Sequence, residues 1–218
     1  ENFEQALDWI LAPMGITWQD FKKMDYIRGE RVDQKYNVKG FSTPTRKFEL
    51  YSTLLEKWGY DTLPQYREPL ESPYSKPEWH RQYPYILITG RRLPGFFHSE
   101  NRQLPWMREL HRDPVVEIHP DTAAKEGIRE GDWVVIESPR GKVRQRAKFF
   151  EGMDPRVVSA EHAWWFPEQK DAGHGWDESN INILTDNAYE NCDPAMGATH
   201  IRTLLCRISP EKQEGGLS

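Results

Sequence analysis

The stretch YILITGRRLPGFFHSENR, residues 85–102, holds residue types from which a ligand site could be built. Its first five residues are apolar or β-branched and predict a short buried strand. Gly90 then allows the backbone to adopt an unusual dihedral angle or to approach a ligand closely. Arg91 and Arg92 follow, and their guanidinium groups offer fork-shaped donors that suit phosphate or the flat edge of a purine or pterin. The pattern fits a cradle for an anionic cofactor, and it also fits a surface turn with solvated arginines.

The second half of this stretch adds His98, Ser99 and Arg102. An imidazole and a hydroxyl group can hydrogen-bond a phosphate or the polar edge of a pterin. The alternative is that His98 is an ordinary loop residue whose polar atoms are satisfied locally. A zinc site at His98 is not predicted, because no cysteine or carboxylate stands at a useful spacing.

The composition limits the classes of function. The formal net charge is −5, which argues against general nucleic-acid binding through a basic surface. The mean hydropathy of −0.82 is low for a folded domain, but nine Trp, nine Tyr and nine Phe argue against disorder. Direct membrane insertion is not expected, because no segment approaches the roughly 20 apolar residues of a spanning helix.

Few residues offer chemistry outside the 85–102 stretch. Cys192 and Cys206 are too few for a disulfide framework or a tetrahedral metal site, so the sequence predicts two buried structural thiols. No nucleophile and base stand at a spacing that supports hydrolysis. The sequence therefore predicts no catalytic residue and no metal ligand in this chain.

The elements that must position these residues are short. Helical spacing predicts a helix over residues 3–11 and a second one capped by Thr17. Residues 30–52 are predicted to be extended, with Phe48 and Leu50 facing inward. Strands are predicted at 85–89, 115–118, 133–137, 142–150, 157–161 and 203–208, with short helices at 104–111 and 122–126. Short strands at this spacing, with small helices between them, favour a β-barrel.

Several motifs in order along the chain resemble a known family. They are GFSTPTRKFELYS, LITGR, HSENR, DPVVEIHPDTAAKEGIREGDWVVIESPRGKVRQRAKF, HAWWFPE and SNINILTDNAYENCDPAMG. Together they resemble the C-terminal molybdopterin-dinucleotide-binding domain of the dimethyl-sulfoxide-reductase family of molybdenum and tungsten enzymes. HSENRQLPWMRELH and GWDESNINILTDN resemble its acetylene-hydratase-like and related anaerobic branches.

The resemblance implies a mainly β fold with short helices, built on a six-stranded double-psi β-barrel that follows a small helical and extended N-terminal segment. It divides the chain into a tail of the preceding catalytic domain (1–52), a proline-rich linker (53–82), the barrel (83–210) and a flexible tail (211–218). The implied cofactor is a bis-molybdopterin guanine dinucleotide, with molybdenum or tungsten held by the pterin dithiolenes.

The resemblance also implies site residues. Thr89, Gly90 and Arg91 match the family's TGR element, with Arg92 beside it. His98 and Ser99 match a His-Ser or His-Thr pair, and Arg102 matches the arginine that follows. His162 and Trp164 belong to the HAWW element, in which an indole can cover a pterin face or simply pack in the core. Asn182, in NILT, offers an amide to the pterin or guanine edge. The cofactor-binding residues predicted are thus Thr89, Gly90, Arg91, Arg92, His98, Ser99, Arg102, His162, Trp164 and Asn182.

The function implied is that of a cofactor-binding fragment of a larger oxidoreductase. The two-electron or hydratase-type chemistry would take place in other domains, so we expect the isolated chain to be inactive. Expected partners are the rest of its own catalytic subunit and an iron–sulfur electron-transfer subunit, and other domains could also hold an iron–sulfur cluster. The compartment of the parent, prokaryotic cytoplasm or periplasm, stays open. The alternative is a barrel that serves as an interaction or assembly module and binds no cofactor.

Overall fold

The computed structural model describes residues 2–90, 94–193 and 195–212. Contacts along the chain divide it into two compact units, residues 1–65 and 66–218. This division falls inside the predicted proline-rich linker, whose predicted limits at 53 and 82 stay a prediction.

The first unit consists of short helices and turns. Its helices are α1 (Phe3–Leu11), α2 (Trp18–Phe21), α3 (Lys35–Lys39) and α4 (Thr53–Lys57). The two helices predicted from spacing are confirmed, and Thr17 caps α2 as expected by accepting from the Asp20 amide. The prediction of extended structure over residues 30–52 missed α3.

Phe48 and Leu50 do not face inward, as the sequence predicted. They are 69% and 79% exposed, respectively. Leu11 is the only buried side chain among the described residues 2–65. The prediction of an inward face was wrong, because the described residues of this unit form no buried core against which such a face could pack.

The second unit is built on a closed barrel of six strands. The strands are β1 (Tyr85–Ile88), β2 (Val115–Ile118), β3 (Trp133–Ser138), β4 (Gly141–Phe149), β5 (Val157–Ala160) and β6 (Leu204–Pro210). Their order around the barrel is β1-β5-β2-β4-β3-β6. The predicted six-stranded barrel and each of its predicted strands are confirmed.

Every second side chain along the first three strands points into the barrel and fills its interior. Leu87, Val116, Val134 and Ile136 have no exposed surface. Their strand neighbours are partly exposed, which is the period-two pattern of a sheet with one face on the core. Burial of these apolar side chains is the main stabilising contribution to the barrel.

The described residues of the barrel unit also form four short α-helices. They are α5 (Pro77–His80), α6 (Pro105–Leu110), α7 (Pro120–Lys125) and α8 (Trp176–Ser179). The helices predicted at 104–111 and 122–126 are confirmed as α6 and α7. Single turns of 3-10 helix lie at Ala12–Met14 in the first unit and at Ile181–Ile183 and Tyr189–Asn191 in the barrel unit.

The strand directions bring several chain segments to one end of the barrel. β1 runs parallel to β5, so both strands finish at the same end. β6 is antiparallel to β1, β3 is antiparallel to β6, and β4 is antiparallel to β3. The last residues of β1, β3 and β5 therefore meet the first residues of β4 and β6. We refer to this as the Thr89 end of the barrel.

Part of the predicted linker is built into the barrel unit. Glu71 is 5% exposed and accepts a hydrogen bond from the Leu205 amide at 2.6 Å. Its second carboxylate oxygen accepts from Arg140 Nη2 at 2.5 Å. Because Arg140 lies between β3 and β4 and Leu205 lies in β6, Glu71 holds two strand ends together at the Thr89 end.

The two thiols differ from the prediction in one respect. Cys206 is fully buried in β6, and burial raises the pKa of its thiol. Cys192 is only half-buried and donates to the carbonyl of Ala188 at 3.4 Å. Burial of both thiols was thus correct for Cys206 and wrong for Cys192.

Candidate functional site

The loop after β1 begins at Gly90, where the backbone conformation and the close packing favour glycine. Gly90 has a φ of 64°, a left-handed conformation that L side chains rarely adopt. A Cβ at this position would lie 2.8 Å from Ser159 Oγ in β5. Thr89, one residue earlier, is buried. Arg91 and Arg92 lie outside the described residues.

The loop after β5 meets the loop after β1, as their parallel pairing requires. The backbone of Thr89 lies beside the His162 side chain and acts to raise its pKa, against the larger effect of burial. Burial lowers the pKa of His162, and the nearby charges of His98 and Arg102 act in the same direction. The structure thus brings Thr89, His98 and His162 together.

His98 and Ser99 are the central residues of a tight turn, which the Glu100 amide closes by donating to the Phe97 carbonyl at 3.0 Å. Both are exposed, and His98 has a φ of 48°. The imidazole rings of His98 and His162 meet edge to face, with ring centroids 5.6 Å apart. The predicted His-Ser pair therefore presents polar groups at the surface of the Thr89 end.

Arg102 lies beneath this turn as a buried cation. It is 2% exposed, and its guanidinium lies between the rings of Phe96 and Trp164, 4.3 and 4.2 Å from their centroids. Its Nη2 lies 3.1 Å from Glu161 Oε1 and donates to the His98 carbonyl at 3.3 Å. Burial lowers the pKa of Arg102, while the Glu161 carboxylate opposes that shift. Arg102 therefore supports the turn from below.

Trp164 lies deeper still. Its ring has no exposed surface and packs edge to face against His111 and Phe166, with centroids 5.4 and 6.2 Å away. Arg102 and Arg108 both lie over the indole ring. In this structure Trp164 touches the candidate site through these guanidinium groups, which matches the core alternative that the sequence left open.

Asn182 reaches the same end of the barrel by another route. It is exposed on the 3-10 turn Ile181–Ile183, where its backbone amide donates to the Asn180 side chain at 3.1 Å. Leu184, which directly follows this turn, accepts through its carbonyl from Arg140 at 3.2 Å, at the junction of β3 and β4. Asn182 is therefore placed at the Thr89 end of the barrel.

Three residues that sequence reasoning missed hold this site together. Glu161 accepts from His111 Nε2 at 2.7 Å on the carboxylate oxygen that does not face Arg102. Gln145, which is fully buried, donates to the carbonyls of Glu161 and Ser179 at 2.7 and 3.2 Å. An acidic residue directly before HAWW was a usable signal, because a buried arginine requires a carboxylate nearby. Nothing in the local sequence marked Gln145 or His111.

Among the described residues of the barrel unit, one cavity lies at the Thr89 end and another lies beside β3 and β4. A cavity of about 200 Å³ is lined by Trp79, Arg140, His200 and Leu204, among others. A larger one of about 340 Å³ lies beside β3 and β4 and contains Arg144 paired with Glu178 and Glu211. Neither cavity has a predicted site residue among its described lining residues, so the cavities do not identify the site.

Across residues 2–90, 94–193 and 195–212, no three His, Cys, Asp or Glu side chains are grouped so that they could hold a metal ion. Within the same ranges, none of the helices has the length and apolar character needed to cross a membrane.

A known protein family and several known proteins are similar to this chain in sequence. The model of the family described as "Molydopterin dinucleotide binding domain" matches residues 85–202. Dopamine dehydroxylase of Eggerthella lenta is 44% identical over 191 residues, covering 85% of this chain and 18% of that protein. Acetylene hydratase of Syntrophotalea acetylenica is 31% identical over 211 residues, covering 91% of this chain and 28% of that protein.

A solved structure shows the same fold. Acetylene hydratase from Pelobacter acetylenicus superposes with a TM-score of 0.82 at 30% sequence identity, covering 95% of this chain and 29% of that chain. The chain thus spans less than a third of the length of each of these relatives.

Proposed function

Because this chain belongs to the molydopterin dinucleotide binding domain family, we propose that its Thr89 end holds a molybdopterin guanine dinucleotide. The observation that carries the proposal is the meeting of the loops after β1 and β5 over the buried Arg102. Binding residues often lie on loops that a rigid scaffold positions, and the barrel brings these two loops together.

The residues present fit such a group. A dinucleotide carries a pyrophosphate and rings with polar edges, so its site needs donors, positive potential and a close approach of the backbone. Gly90 lets the backbone turn at a φ of 64° as it leaves β1, and His98 and Ser99 supply exposed polar groups. The Arg102 guanidinium lies buried beneath these groups with Glu161 as its counterion, and its Nε and Nη1 atoms have no hydrogen-bond partner among the described residues. The donor set therefore suits an anion.

Each residue would have a distinct part. Thr89 and Gly90 let the chain approach the cofactor, while His98 and Ser99 hydrogen-bond its phosphate or pterin edge. Asn182 offers donor and acceptor to an aminopyrimidine edge. Arg91 and Arg92 keep the phosphate-binding role that the sequence predicts for them. When bound, the cofactor supplies the metal-centred chemistry of the parent enzyme, with molybdenum or tungsten.

We infer that the reaction belongs to a longer polypeptide. The chain spans 18–29% of the relatives compared, so residues 1–52 would be the tail of a preceding catalytic domain. The rest of the catalytic subunit would supply the metal ligand and the other wall of the site, with an iron–sulfur subunit as electron-transfer partner. The identity is higher to the dehydroxylase than to the hydratase, which favours a dehydroxylase-like reductase as parent.

Cofactor content of the full-length parent tests the proposal. The variants His98→Ala and Asn182→Ala should each reduce bound guanine nucleotide and pterin, measured after acid release, by about fivefold or more, since a lost hydrogen bond to a charged group is worth about 1.5–3 kcal/mol. Asn187→Ala, an exposed amide nearby, is the control and should keep full occupancy. Full occupancy in both test variants would overturn this placement of the site. A parent without guanine nucleotide would favour the interaction module.

The isolated chain makes a second test possible. The cofactor of this family would lie between domains, so the 218-residue protein by itself should fold and bind guanine nucleotides weakly. Submicromolar binding in a calorimetric titration with GDP would contradict that expectation.

A further inference from the structure

The turn that carries His98 and Ser99 is held at two successive carbonyl groups. Arg102 Nη2 donates to the carbonyl of His98 at 3.3 Å, and Trp165 Nε1 donates to the carbonyl of Ser99 at 2.7 Å. Arg102 comes from the same loop as the turn, whereas Trp165 comes from the loop after β5. The two loops are thus joined at the residues that the proposed site uses.

The turn needs such support because its backbone is strained. His98 occupies the left-handed region at a φ of 48°, where a side chain other than glycine meets its own backbone. A turn of this kind persists only where the surrounding structure holds it. Hydrogen bonds from fixed donors to both central carbonyls provide that restraint.

Both donors are themselves fixed. The Arg102 guanidinium is enclosed between Phe96 and Trp164 and faces the buried carboxylate of Glu161. The Trp165 ring packs against His174, with ring centroids 5.5 Å apart. The two donors are therefore held by different parts of the structure, Arg102 by the buried core and Trp165 by a contact nearer the surface.

We propose that Trp165 is a positioning residue: its indole N–H, acting with Arg102, locks the His98–Ser99 turn in the conformation that presents both side chains to the cofactor. This inference rests on the proposed function for its consequence, since the turn matters because the cofactor is bound there. It also assigns different tasks to two adjacent tryptophans. Trp164 supports Arg102 from the core, and Trp165 holds Ser99 from outside.

The test is amide hydrogen exchange by NMR on the 218-residue protein. Trp165→Phe keeps an aromatic ring and removes only the donor. It should speed the exchange of the Glu100 amide, which closes the turn, by about fivefold, the effect of losing one net hydrogen bond. Trp106→Phe, a matched change of an exposed indole on α6, should leave that exchange rate unchanged.

The Trp165→Phe substitution in the His98→Gly variant tests the role of backbone strain. Glycine adopts a positive φ without cost, so in His98→Gly the turn no longer depends on its restraint. Adding Trp165→Phe to His98→Gly should then change Glu100 exchange by less than twofold. An equal effect of Trp165→Phe in both backgrounds would overturn the positioning role.

The wild-type protein provides a measurement that does not depend on the folding of any variant. The indole N–H of Trp165 should exchange at least tenfold more slowly than that of the exposed Trp106. Equal rates would overturn the proposal. None of these measurements uses a ligand, so a parent that lacks the cofactor would defeat the proposed function and leave this result standing.

Discussion

The carboxylate of Glu161 lies 3.1 Å from the guanidinium of Arg102, with only 7% and 2% of the two side chains exposed. This buried ion pair forms where β5 passes into the loop that carries His162. It joins the barrel wall to the turn of His98, because Arg102 also donates to the His98 carbonyl.

Glu161→Gln should destabilise the protein strongly. The substitution leaves the Arg102 charge buried without its counterion, and breaking a buried pair in this way costs about 3–5 kcal/mol. Equilibrium unfolding in urea would measure the loss. Glu137→Gln removes the partner of Arg207 in an exposed pair and should cost less than about 1 kcal/mol. Similar losses of unfolding free energy in the two variants would show that burial does not make the Glu161–Arg102 pair more stabilising than the exposed Glu137–Arg207 pair.

Gly90→Ala should cost more than the same change at Gly127. Both glycines have a positive φ, at 64° and 69°, so the backbone strain of about 1–2 kcal/mol is shared. Only at Gly90 would the new Cβ lie 2.8 Å from another atom, Ser159 Oγ, whereas nothing lies within 4 Å at Gly127. Adding Ser159→Ala should recover part of the difference in unfolding free energy. Failure of that recovery would exclude the steric explanation.

Removal of residues 1–65 should leave a barrel that unfolds cooperatively, since residues 66–218 form a compact unit. Removal of residues 1–82 should be much more damaging. It deletes Glu71, which bonds the Leu205 amide and Arg140, and unpaired buried groups of this kind cost about 1–3 kcal/mol each. Thermal unfolding followed by circular dichroism would compare the two truncations. Equal stability would mean that the linker ends nearer to residue 83.

Stability should fall as the pH decreases below about 6.5 through the titration of His162. Its pKa is lowered in the folded protein, so the unfolded chain takes up the proton first. The contribution of His162 is fully present above pH 6.5, its ordinary value, and is lost as the pH falls toward the folded pKa. Urea midpoints between pH 8 and pH 5.5 would show a shallower decline for His162→Gln than for the wild type. Identical declines would contradict the expectation.

The sequence by itself determined the strands and the family. Period-two alternation and glycine-containing turns are local signals, and they predicted all six strands of the barrel correctly. The same local reasoning failed for Phe48 and Leu50, because an inward face requires a core that the local pattern does not reveal. The motifs identified the candidate residues, whose roles in cofactor binding stay predictions.

The tertiary structure decided which of these residues are surface groups and which are supports. Burial and pairing are properties of contacts between distant segments, so TGR, HSENR and HAWW could not show that Arg102 lies under the turn of His98. They also could not separate Trp164 from Trp165, because adjacent residues after a strand can point to opposite sides. The parallel pairing of β1 with β5 places the two loops together, and with it the site that the sequence had described only as separate motifs.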